Sequence, residues 1–515
     1  MNYTVKMTEN EYWWGGSAMD GINCPFDRHT DLERDFRVNA PNQSMPMYLS
    51  DKGRCIWSDK PFYVKIKNGV FEFEAESISV ESFGETLRVA YKGAMKKYFP
   101  PKGKKLPEEF FEKPQYNTWM QYTYSQTQEN VLKYASDIIK NGYTPGIFII
   151  DEGWQKDYGI WEFDESKFPD PKEMIKKLHE MGFTVMLWVV PYVSPNGERF
   201  IKNIFERFNP ELYDKLFLRT DNGEIAVCSW WNGYSALLDM TKQCDIDFLD
   251  KQLTKLMNDY GADGFKFDGG NIDSYCDAVI INGKKDKKLT ADALNIAWND
   301  FGTRYSFHEY KDTFKGGGKR TIQRMCDRSH SWTTDGLETV IPAAILQGLL
   351  GYPFICPDMV GGGEFGYKAL KLPVDEELFV RMAQCSALFP MMQFSWAPWE
   401  AVSEENNRLI KEMQELHIKL APLLKDLIEE AYKTGEPIIR NLEYNYPHKG
   451  YHKINDVFML GEKILAAPAV KKGQKEKTVL LPPGKWRDSD GNIRDGGKSV
   501  TVDTPIDKLL FFCRV

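Results

Sequence analysis

The sequence predicts an α/β protein built on a (β/α)₈ TIM barrel, with an N-terminal β-sandwich before the barrel and a small C-terminal β domain after it. The chain has 515 residues, which is too long for one small core but suits one large barrel with two appendages. The middle of the chain alternates apolar runs with helical patterns, as βα units do. Both ends instead show short alternating segments separated by turn signals. We therefore expect domains at 1–110, 111–440 and 441–515.

Composition excludes several classes of partner. There are 66 Lys and Arg against 74 Asp and Glu, a net charge of -8, and no dense basic run that would follow a nucleic-acid backbone. The first residues are charged where a signal peptide needs an apolar core, and no run of 18 apolar residues occurs. Nine cysteines without a CxxC pattern indicate free thiols. We expect a cytoplasmic protein with neither a nucleic-acid nor a membrane partner, and the sequence leaves a homo-oligomer possible.

The N-terminal part carries hairpin signals. The segments 62–66 and 70–74 alternate apolar and polar residues on either side of Lys67-Asn68-Gly69, which predicts an antiparallel pair. A separate aromatic and glycine-rich stretch, 11–16 with the following Asp20, has two interpretations. It is either a corner of the sandwich core or a loop that reaches toward a neighbouring pocket.

The middle of the chain contains a series of strand-like runs that stop at acidic or aromatic residues. These runs are 117–119, 146–150, 184–189, 237–240, 264–268, 321–324, 352–355, 390–396 and 437–440. The carboxylates at or just after their ends are Asp151, Asp239, Asp268, Asp335 and Asp358. Because a TIM barrel builds its site at the C-terminal ends of its strands, we expect a site that contains carboxylates.

The run around Asp268 is the strongest site candidate. An apolar helical stripe ends at Gly261, which can adopt the left-handed conformation of a helix end. In the strand that follows, Lys266 and Asp268 share one face, while Phe265 and Phe267 point to the other. One interpretation is a structural ion pair. The other is that Lys266 keeps Asp268 ionised, as a carboxylate nucleophile requires.

The motifs of other enzyme classes are absent. The seven histidines form no HExxH pattern, which argues against a histidine-based zinc site. No GxSxG nucleophile elbow follows a strand, and no phosphate-binding glycine motif opens a helix. Carboxylates among many tryptophans in a barrel instead suit glycoside hydrolysis.

The residues also carry a resemblance to a known family. The run from Gly261 to Asp268 resembles the nucleophile strand of glycoside hydrolase family 31, and Trp332-Thr333-Thr334-Asp335 resembles its acid/base segment. Further agreement lies in Asp151 with Trp154, in 168–171, in 187–191, in Arg324, and in Asp358 with Gly361 and Gly362. The matching motifs follow one another in the family's order over the part of the chain between 115 and 400.

The resemblance implies a retaining, exo-acting α-glycosidase that acts on an oligosaccharide or other glycoside. It implies Asp268 as the nucleophile and Asp335 as the general acid/base, with no metal or other cofactor. A retaining pair of carboxyl groups lies about 5–5.5 Å apart. The substrate-binding residues expected beside them are Asp151, Trp188, Trp231, Lys266, Arg324, Trp332, Asp358, Gln393 and Ser395.

The departures from the family pattern concern the sugar. Where α-glucosidases of the family have an arginine and a histidine, this sequence has Gln393 and Ser395, a variation that resembles a branch for which α-galactoside hydrolysis is implied. Hydrolysis of α-glucosides, α-xylosides or sulfoquinovosides is the alternative within the family. Two further alternatives are a sugar-binding protein without catalysis, and a Mg²⁺ site formed by Asp239, Asp268 and Asp358.

Overall fold

The computed structural model describes residues 1–206, 216–220, 223–281 and 289–515. Its centre is a closed barrel of parallel strands. The strands are β1 (Gln115–Asn117), β2 (Ile147–Ile150), β3 (Thr184–Val189), β4 (Gly264–Phe267), β5 (Phe307–Tyr310), β6 (Ile322–Arg324), β7 (Ile355–Cys356 and Met359–Val360) and β8 (Gln393–Phe394). The first segment of β7 pairs with β6 and the second with β8, which closes the sheet. The predicted TIM barrel is confirmed.

Helices surround this barrel and cover its outer face. They include Gln128–Lys140, Pro171–Glu180, Gln243–Lys255, Ile272–Ile281, Ala291–Gly302, Leu337–Leu349, Glu376–Ser386, Glu404–Lys419 and Ala421–Thr434. On β4, Phe265 and Phe267 point toward these helices, where Phe267 packs against Trp298 and Phe301. The outward direction of the two phenylalanines leaves Lys266 for the barrel interior, as the alternation predicts.

The structure corrects the predicted strands at three places. Strand β5 was not predicted, because Glu309 interrupts the apolar residues of this short segment. The predicted strand 237–240 is not part of the barrel, since Gly233–Leu237 joins a small antiparallel sheet with Tyr192–Val193 and Val227–Trp230. The predicted strand 437–440 leaves the barrel as well, because Ile439–Arg440 pairs with Phe458–Leu460.

The N-terminal region contains two sheets, in which its own strands pair antiparallel, together with a short and a longer helix. One sheet contains Asn2–Lys6, Leu32–Asp35, Tyr63–Lys67 and Val70–Glu74, and the other contains Trp13–Ser17, Gln43–Ser50, Arg54–Trp57 and Ser79–Ser82. The predicted hairpin is confirmed: Lys67 pairs with Val70, and Asn68 and Gly69 both have positive φ, as a two-residue turn of this kind requires. The helix Leu87–Tyr98 was not predicted within this part of the chain.

The aromatic stretch near the N-terminus lies in the core, which supports the first of its two interpretations. Trp13 and Trp14 are fully buried in the core, as a corner of the sandwich would be. The short helix Ala18–Asn23 that follows packs against the barrel helix Leu337–Leu349. Asp20 is buried there and pairs with Arg34 at 2.5 Å. This segment therefore brings the N-terminal sheets to the rim of the barrel.

The C-terminal region is a β domain. Its main sheet contains Ile439–Arg440, Phe458–Leu460, Ile464–Ala466, Phe511–Arg514, Lys485–Asp488 and Ile493–Asp495, and Glu476–Leu480 pairs separately with Ser499–Asp503. All nine cysteines lie in the described part of the chain, and none of them belongs to a disulfide there. Among the described residues, none of the helices combines the length and the apolar character needed to cross a membrane.

Candidate active site

A cavity of about 510 Å³ opens at the C-terminal ends of the barrel strands. It contains several of the predicted site residues together with residues that the sequence did not single out. Its walls are formed by Trp119, Tyr124, Asp151, Glu152, Trp188, Trp231, Asn232, Lys266, Asp268, Lys311, Arg324, Asp327, Glu364 and Phe365. The expectation that carboxylates at strand ends meet in one place therefore holds for Asp151 and Asp268.

Asp268 follows β4 directly and lies in the cavity wall, 7% exposed. Two N–H groups hold its carboxylate: the indole Nε1 of Trp188 donates to Oδ2 at 3.0 Å, and the backbone N–H of Gly269 donates to Oδ1 at 2.9 Å. Burial would raise the pKa of Asp268, but the charges of Lys311, Lys266 and Arg324 together keep it below its ordinary value. The side chain is an ionised carboxylate in a fixed orientation.

Lys266 lies on the same face as Asp268 but bonds to another carboxylate. Its Nζ donates to Asp151 Oδ2 at 2.6 Å, and both side chains are almost fully buried. Asn117 donates to the same oxygen at 2.6 Å, and the Glu152 N–H donates to Asp151 Oδ1 at 2.9 Å. Asp151 is therefore held by three partners from the protein, and Lys266 acts on Asp268 through its charge.

Glu152 is a cavity residue that the sequence analysis did not select. Tyr158 donates its hydroxyl proton to Glu152 Oε1 at 2.5 Å, and the indole of Trp231 donates to Oε2 at 3.1 Å. Burial is the main cause that raises the pKa of Glu152 to about 7, and the neighbouring charges of Asp151 and Asp268 add to it. Its position directly after Asp151 at a strand end was the one available signal in the sequence.

Trp188 and Trp231 both lie in the cavity wall but differ in exposure. Trp188, on β3, is buried and orients Asp268. Trp231 lies at the tip of the hairpin formed by Val227–Trp230 and Gly233–Leu237, and half of its surface is exposed. An exposed indole at a cavity mouth offers a flat apolar face to a ligand.

Arg324, at the end of β6, is the centre of a buried charge network. Its guanidinium bonds to Asp358 and donates to Asp327 Oδ1 at 3.0 Å, and its Nε lies 3.5 Å from Glu309 Oε1. Asp358 also accepts the backbone N–H of Arg328 at 2.7 Å. Asp358 therefore lies behind Arg324 and holds it in place, while Arg324 itself reaches the cavity.

Lys311 and Asp327 are two further cavity residues that the sequence analysis missed. Lys311 follows the unpredicted strand β5, and its Nζ donates to Asp327 Oδ2 at 2.7 Å. Burial opposes ionisation of Asp327, but Lys311 and Arg324 hold its pKa well below the usual range. Lys311 is the largest cationic influence on Asp268, ahead of Lys266.

The predicted acid/base segment lies beside the cavity. Asp335 is exposed, has a positive φ of 48°, and does not belong to the cavity wall formed by the described residues. Trp332 also lies outside that wall, where its indole donates to Asp375 Oδ2 at 3.0 Å. The segment that carries both residues begins in the wall at Asp327 and ends at the helix Leu337–Leu349.

Gln393 and Ser395 are fully buried at the end of β8. The amide of Gln393 donates to Gln115 Oε1 at 2.7 Å, and Ser395 Oγ accepts the backbone N–H of Met120 at 2.6 Å. Neither residue is part of the cavity wall in the described structure. Both connect β8 to the region around β1, behind the site.

A second cavity of about 290 Å³ adjoins the first. Asp268, Trp231 and Lys311 belong to both cavities. The other wall of the second cavity comes from the N-terminal region, which supplies Met19 and 39–42. The short helix after the aromatic stretch therefore supplies Met19 to a cavity that Asp268 also lines, whereas 11–16 and Asp20 line neither of the two cavities.

The alternative Mg²⁺ site is not formed. Asp239 pairs with Lys242 at 3.1 Å, and Asp358 is bonded to Arg324. Within the described parts of the chain, Asp239, Asp268 and Asp358 do not make a group of mutually close ligands. The cavity instead presents the ionised carboxylate of Asp268, the carboxyl group of Glu152 with its pKa raised to about 7, and aromatic surfaces, which suits attack on a sugar and proton transfer.

Comparison with known proteins identifies the family of this chain. Residues 112–427 match the TIM-barrel domain of glycosyl hydrolases family 31, and residues 435–515 match the C-terminal domain of that family. The myogenesis-regulating glycosidase of Mus musculus is 31% identical over 82% of this chain and 59% of its own length. An α-glucosidase 2 of Bacillus thermoamyloliquefaciens is 25% identical over 76% of this chain and 51% of its own length.

A solved structure gives the same result for the fold. The dextranase of Flavobacterium johnsoniae in complex with isomaltotriose superposes with a TM-score of 0.81 at 20% identity, covering 100% of this chain and 66% of that chain. This chain spans between one half and three fifths of the length of the two relatives above. Because the barrel domain alone matches more than half of the residues, the chain belongs to glycoside hydrolase family 31.

Proposed function

We propose that this protein is a retaining, exo-acting α-glycosidase with Asp268 as its nucleophile. The observation that carries the proposal is the state of Asp268: an ionised carboxylate at the end of β4, oriented by two N–H donors and facing a cavity. In a retaining reaction this carboxylate attacks the anomeric carbon and the leaving oxygen takes a proton. Water then releases the sugar from the covalent glycosyl ester.

The cationic side chains around Asp268 would control its charge in this reaction. Lys311 and Lys266 keep the carboxylate ionised before attack. Formation of the ester removes the negative charge of Asp268, so the electrostatic environment of neighbouring carboxyl groups changes between the two steps. That change favours proton release by an acid that must act as a base in the second step.

For the general acid/base we propose Asp335, as the family resemblance implies. Its support is the position of its segment, which starts in the cavity wall at Asp327 and stays on the C-terminal rim of the barrel. Asp327 is the rival candidate because it is itself in the wall. Its ion pairs with Lys311 and Arg324 favour the ionised form, which is unsuited to donating a proton.

For the sugar we propose a terminal α-galactosyl residue. The support is the replacement of the arginine and histidine of α-glucosidases by Gln393 and Ser395. Because both side chains are buried behind the cavity, they would act by shaping its wall. The α-glucosides, α-xylosides and sulfoquinovosides are the competing substrates, and a panel of activated aryl glycosides separates the four.

The nucleophile is tested by trapping. The protein is incubated with a fluorinated α-galactosyl fluoride that forms the ester faster than it is hydrolysed, and peptides are then analysed by mass spectrometry. We expect one glycosyl group on the peptide that contains Asp268, and none in Asp268→Asn. A label on another residue, or full turnover by Asp268→Ala, would reject the assignment.

The acid/base is tested by comparing leaving groups. Loss of the acid should reduce the hydrolysis of a methyl α-galactoside far more than that of a dinitrophenyl α-galactoside, whose leaving group needs no proton. Added azide should restore turnover of the second substrate, since it attacks the ester without a base. We expect this signature in Asp335→Asn and not in Asp327→Asn or Glu152→Gln. The same signature in Asp327→Asn alone would transfer the role to Asp327.

A sugar-binding protein without catalysis is the remaining alternative. It predicts saturable binding of galactose with no turnover of any aryl glycoside and no covalent label. The ionised state of Asp268 favours the enzyme, because a silent site gains nothing from a fixed buried carboxylate surrounded by cations.

A further inference from the structure

A second group of titratable side chains lies where the N-terminal and C-terminal regions meet. Asp51 follows the strand Gln43–Ser50, Glu443 lies in the short helix Leu442–Asn445, and His448 follows that helix. One possible ligand atom from each residue lies within 4.8 Å of the other two. Asp51 and Glu443 are 4% and 1% exposed, while His448 is open to solvent.

The two carboxyl groups are only partly satisfied by the protein. Asp51 Oδ1 accepts the backbone N–H of Tyr12 at 3.0 Å, and Glu443 Oε1 accepts the backbone N–H of His448 at 2.6 Å. Glu443 Oε2 is buried and has no hydrogen-bond partner among the described residues. A buried, unpaired acceptor in a carboxyl group that faces another acid needs an explanation, and a bound ion is one.

The imidazole of His448 is oriented as a metal ligand would be. Its Nε2 lies 2.8 Å from the backbone oxygen of Glu85, and because a carbonyl can only accept, Nε2 carries the proton. In the neutral ring, Nδ1 then holds the lone pair, and it lies 3.8 Å from Glu443 Oε1. Metal-binding histidines commonly donate their second N–H to a backbone carbonyl in this way.

We propose that Asp51, Glu443 and His448 form a binding site for a zinc-class divalent cation that connects the N-terminal and C-terminal regions. One imidazole nitrogen and two carboxylate oxygens suit Zn²⁺ and similar ions, whereas Mg²⁺ and Ca²⁺ prefer oxygen alone. In tetrahedral coordination with metal–ligand bonds of about 2.1 Å, the ligand atoms lie about 3.4 Å from one another, so the three side chains must move closer together. The exposed side leaves room for water as the fourth ligand.

The charged groups around the site define the competing explanation. Burial raises the pKa of Glu443, and the negative charge of Asp51 adds to it. The charges of Lys52 and His448 act in the opposite direction on both carboxyl groups. The competing explanation is that nearby positive charge, such as that of Lys52, offsets the two carboxyl groups and that the three residues hold no ion. In that case no saturable Zn²⁺ binding is expected, so a binding measurement separates the two explanations.

The test uses the full chain after treatment with a chelator, in a Cys244→Ser background because Cys244 is an exposed thiol that could bind Zn²⁺ itself. Titration calorimetry with Zn²⁺ at pH 7.5 should show one saturable equivalent, and Zn²⁺ should raise the melting temperature while Mg²⁺ and Ca²⁺ do not. His448→Ala should weaken Zn²⁺ binding at least tenfold, and Glu443→Gln should do the same.

The matched control is His179→Ala. His179 is exposed to a similar extent and lies 2.9 Å from a carboxylate oxygen of Asp263, and the described residues offer this histidine and acid pair no third ligand. We expect its Zn²⁺ affinity to equal that of the parent. Absence of saturable binding in the parent, or equal affinity in His448→Ala, would overturn the proposal. Because His448 is exposed, its loss should leave the fold intact, and glycosidase activity is not needed as a readout.

Discussion

Lys266 donates to Asp151 at 2.6 Å, although it shares a strand face with Asp268. The ion pair at the centre of the barrel therefore joins β4 to the end of β2 and not to the proposed nucleophile. Asp268 is left with N–H donors as its hydrogen-bond partners and with positive charge at a distance, so its carboxylate is ionised and not neutralised by a direct ion pair.

The first prediction concerns this buried pair. Asp151→Asn should destabilise the fold by about 3–5 kcal/mol, because it leaves the Lys266 ammonium buried without its charged partner. Chemical denaturation measures the change. The double variant Asp151→Asn with Lys266→Met should recover part of the loss, since it removes the unpaired charge. Equal stability of the single and double variants would show that Lys266 finds another partner.

The second prediction concerns pH dependence. Since Lys311 is the largest influence that lowers the pKa of Asp268, Lys311→Met should raise that pKa. Asp268 must be ionised to attack, so the fall in kcat/KM on the acidic side should begin at higher pH in the variant. Lys315→Met is the control, because Lys315 lies near Asp59 at the surface. An unchanged acidic limb in Lys311→Met would assign that limb to another group.

The third prediction concerns Glu152, whose pKa is raised from 4.5 to about 7. Between these two values the folded protein holds a proton that the unfolded chain has released, so stability falls as the pH rises through this range. Over this pH range the free energy of unfolding falls by at most about 3 kcal/mol. Glu152→Gln should lack this fall, as measured by urea denaturation between pH 4.5 and 8. Parallel curves for parent and variant would mean that Glu152 does not titrate there.

The fourth prediction concerns Trp231 at the cavity mouth. Trp231→Ala should lower kcat/KM about tenfold, mainly through KM, because a sugar loses one aromatic contact. Its melting temperature should stay near that of the parent, since half of the side chain is exposed. Tyr234→Ala on the same hairpin is the matched control, as Tyr234 is 69% exposed and lies outside the cavity wall. Equal losses in both variants would indicate a general effect on the hairpin.

The sequence predicted the barrel and its site residues unevenly, for physical reasons. The direction of Phe265 and Phe267 and the position of Asp268 follow from alternation along one strand, which is a local property. Strand β5 was not predicted because it is short and contains polar residues. Lys311, which follows this strand, was missed for the same reason. A residue of that kind becomes significant only when the barrel closes.

The same limit applies to contacts between distant parts of the chain. The amino-acid sequence alone does not link Glu152 to Trp231, or Asp51 to Glu443 and His448, because these contacts depend on how separate elements pack. Conversely, Gln393 and Ser395 were predicted to bind substrate because they replace family residues within a motif, but both side chains lie behind the cavity. A motif in the sequence indicates where a strand lies. Whether a side chain on that strand reaches the cavity depends on how the side chains pack.

Met19 and Asp268 line the same cavity, although Met19 belongs to the N-terminal region. The barrel is consequently not a self-contained catalytic module, since one wall next to the proposed nucleophile is supplied from outside it. Exchange of the N-terminal segment between relatives would change that wall without altering a single barrel strand. If the proposed function is right, such an exchange would change selectivity for the group that leaves or accepts the sugar and would keep the proposed nucleophile and the barrel strands that carry it.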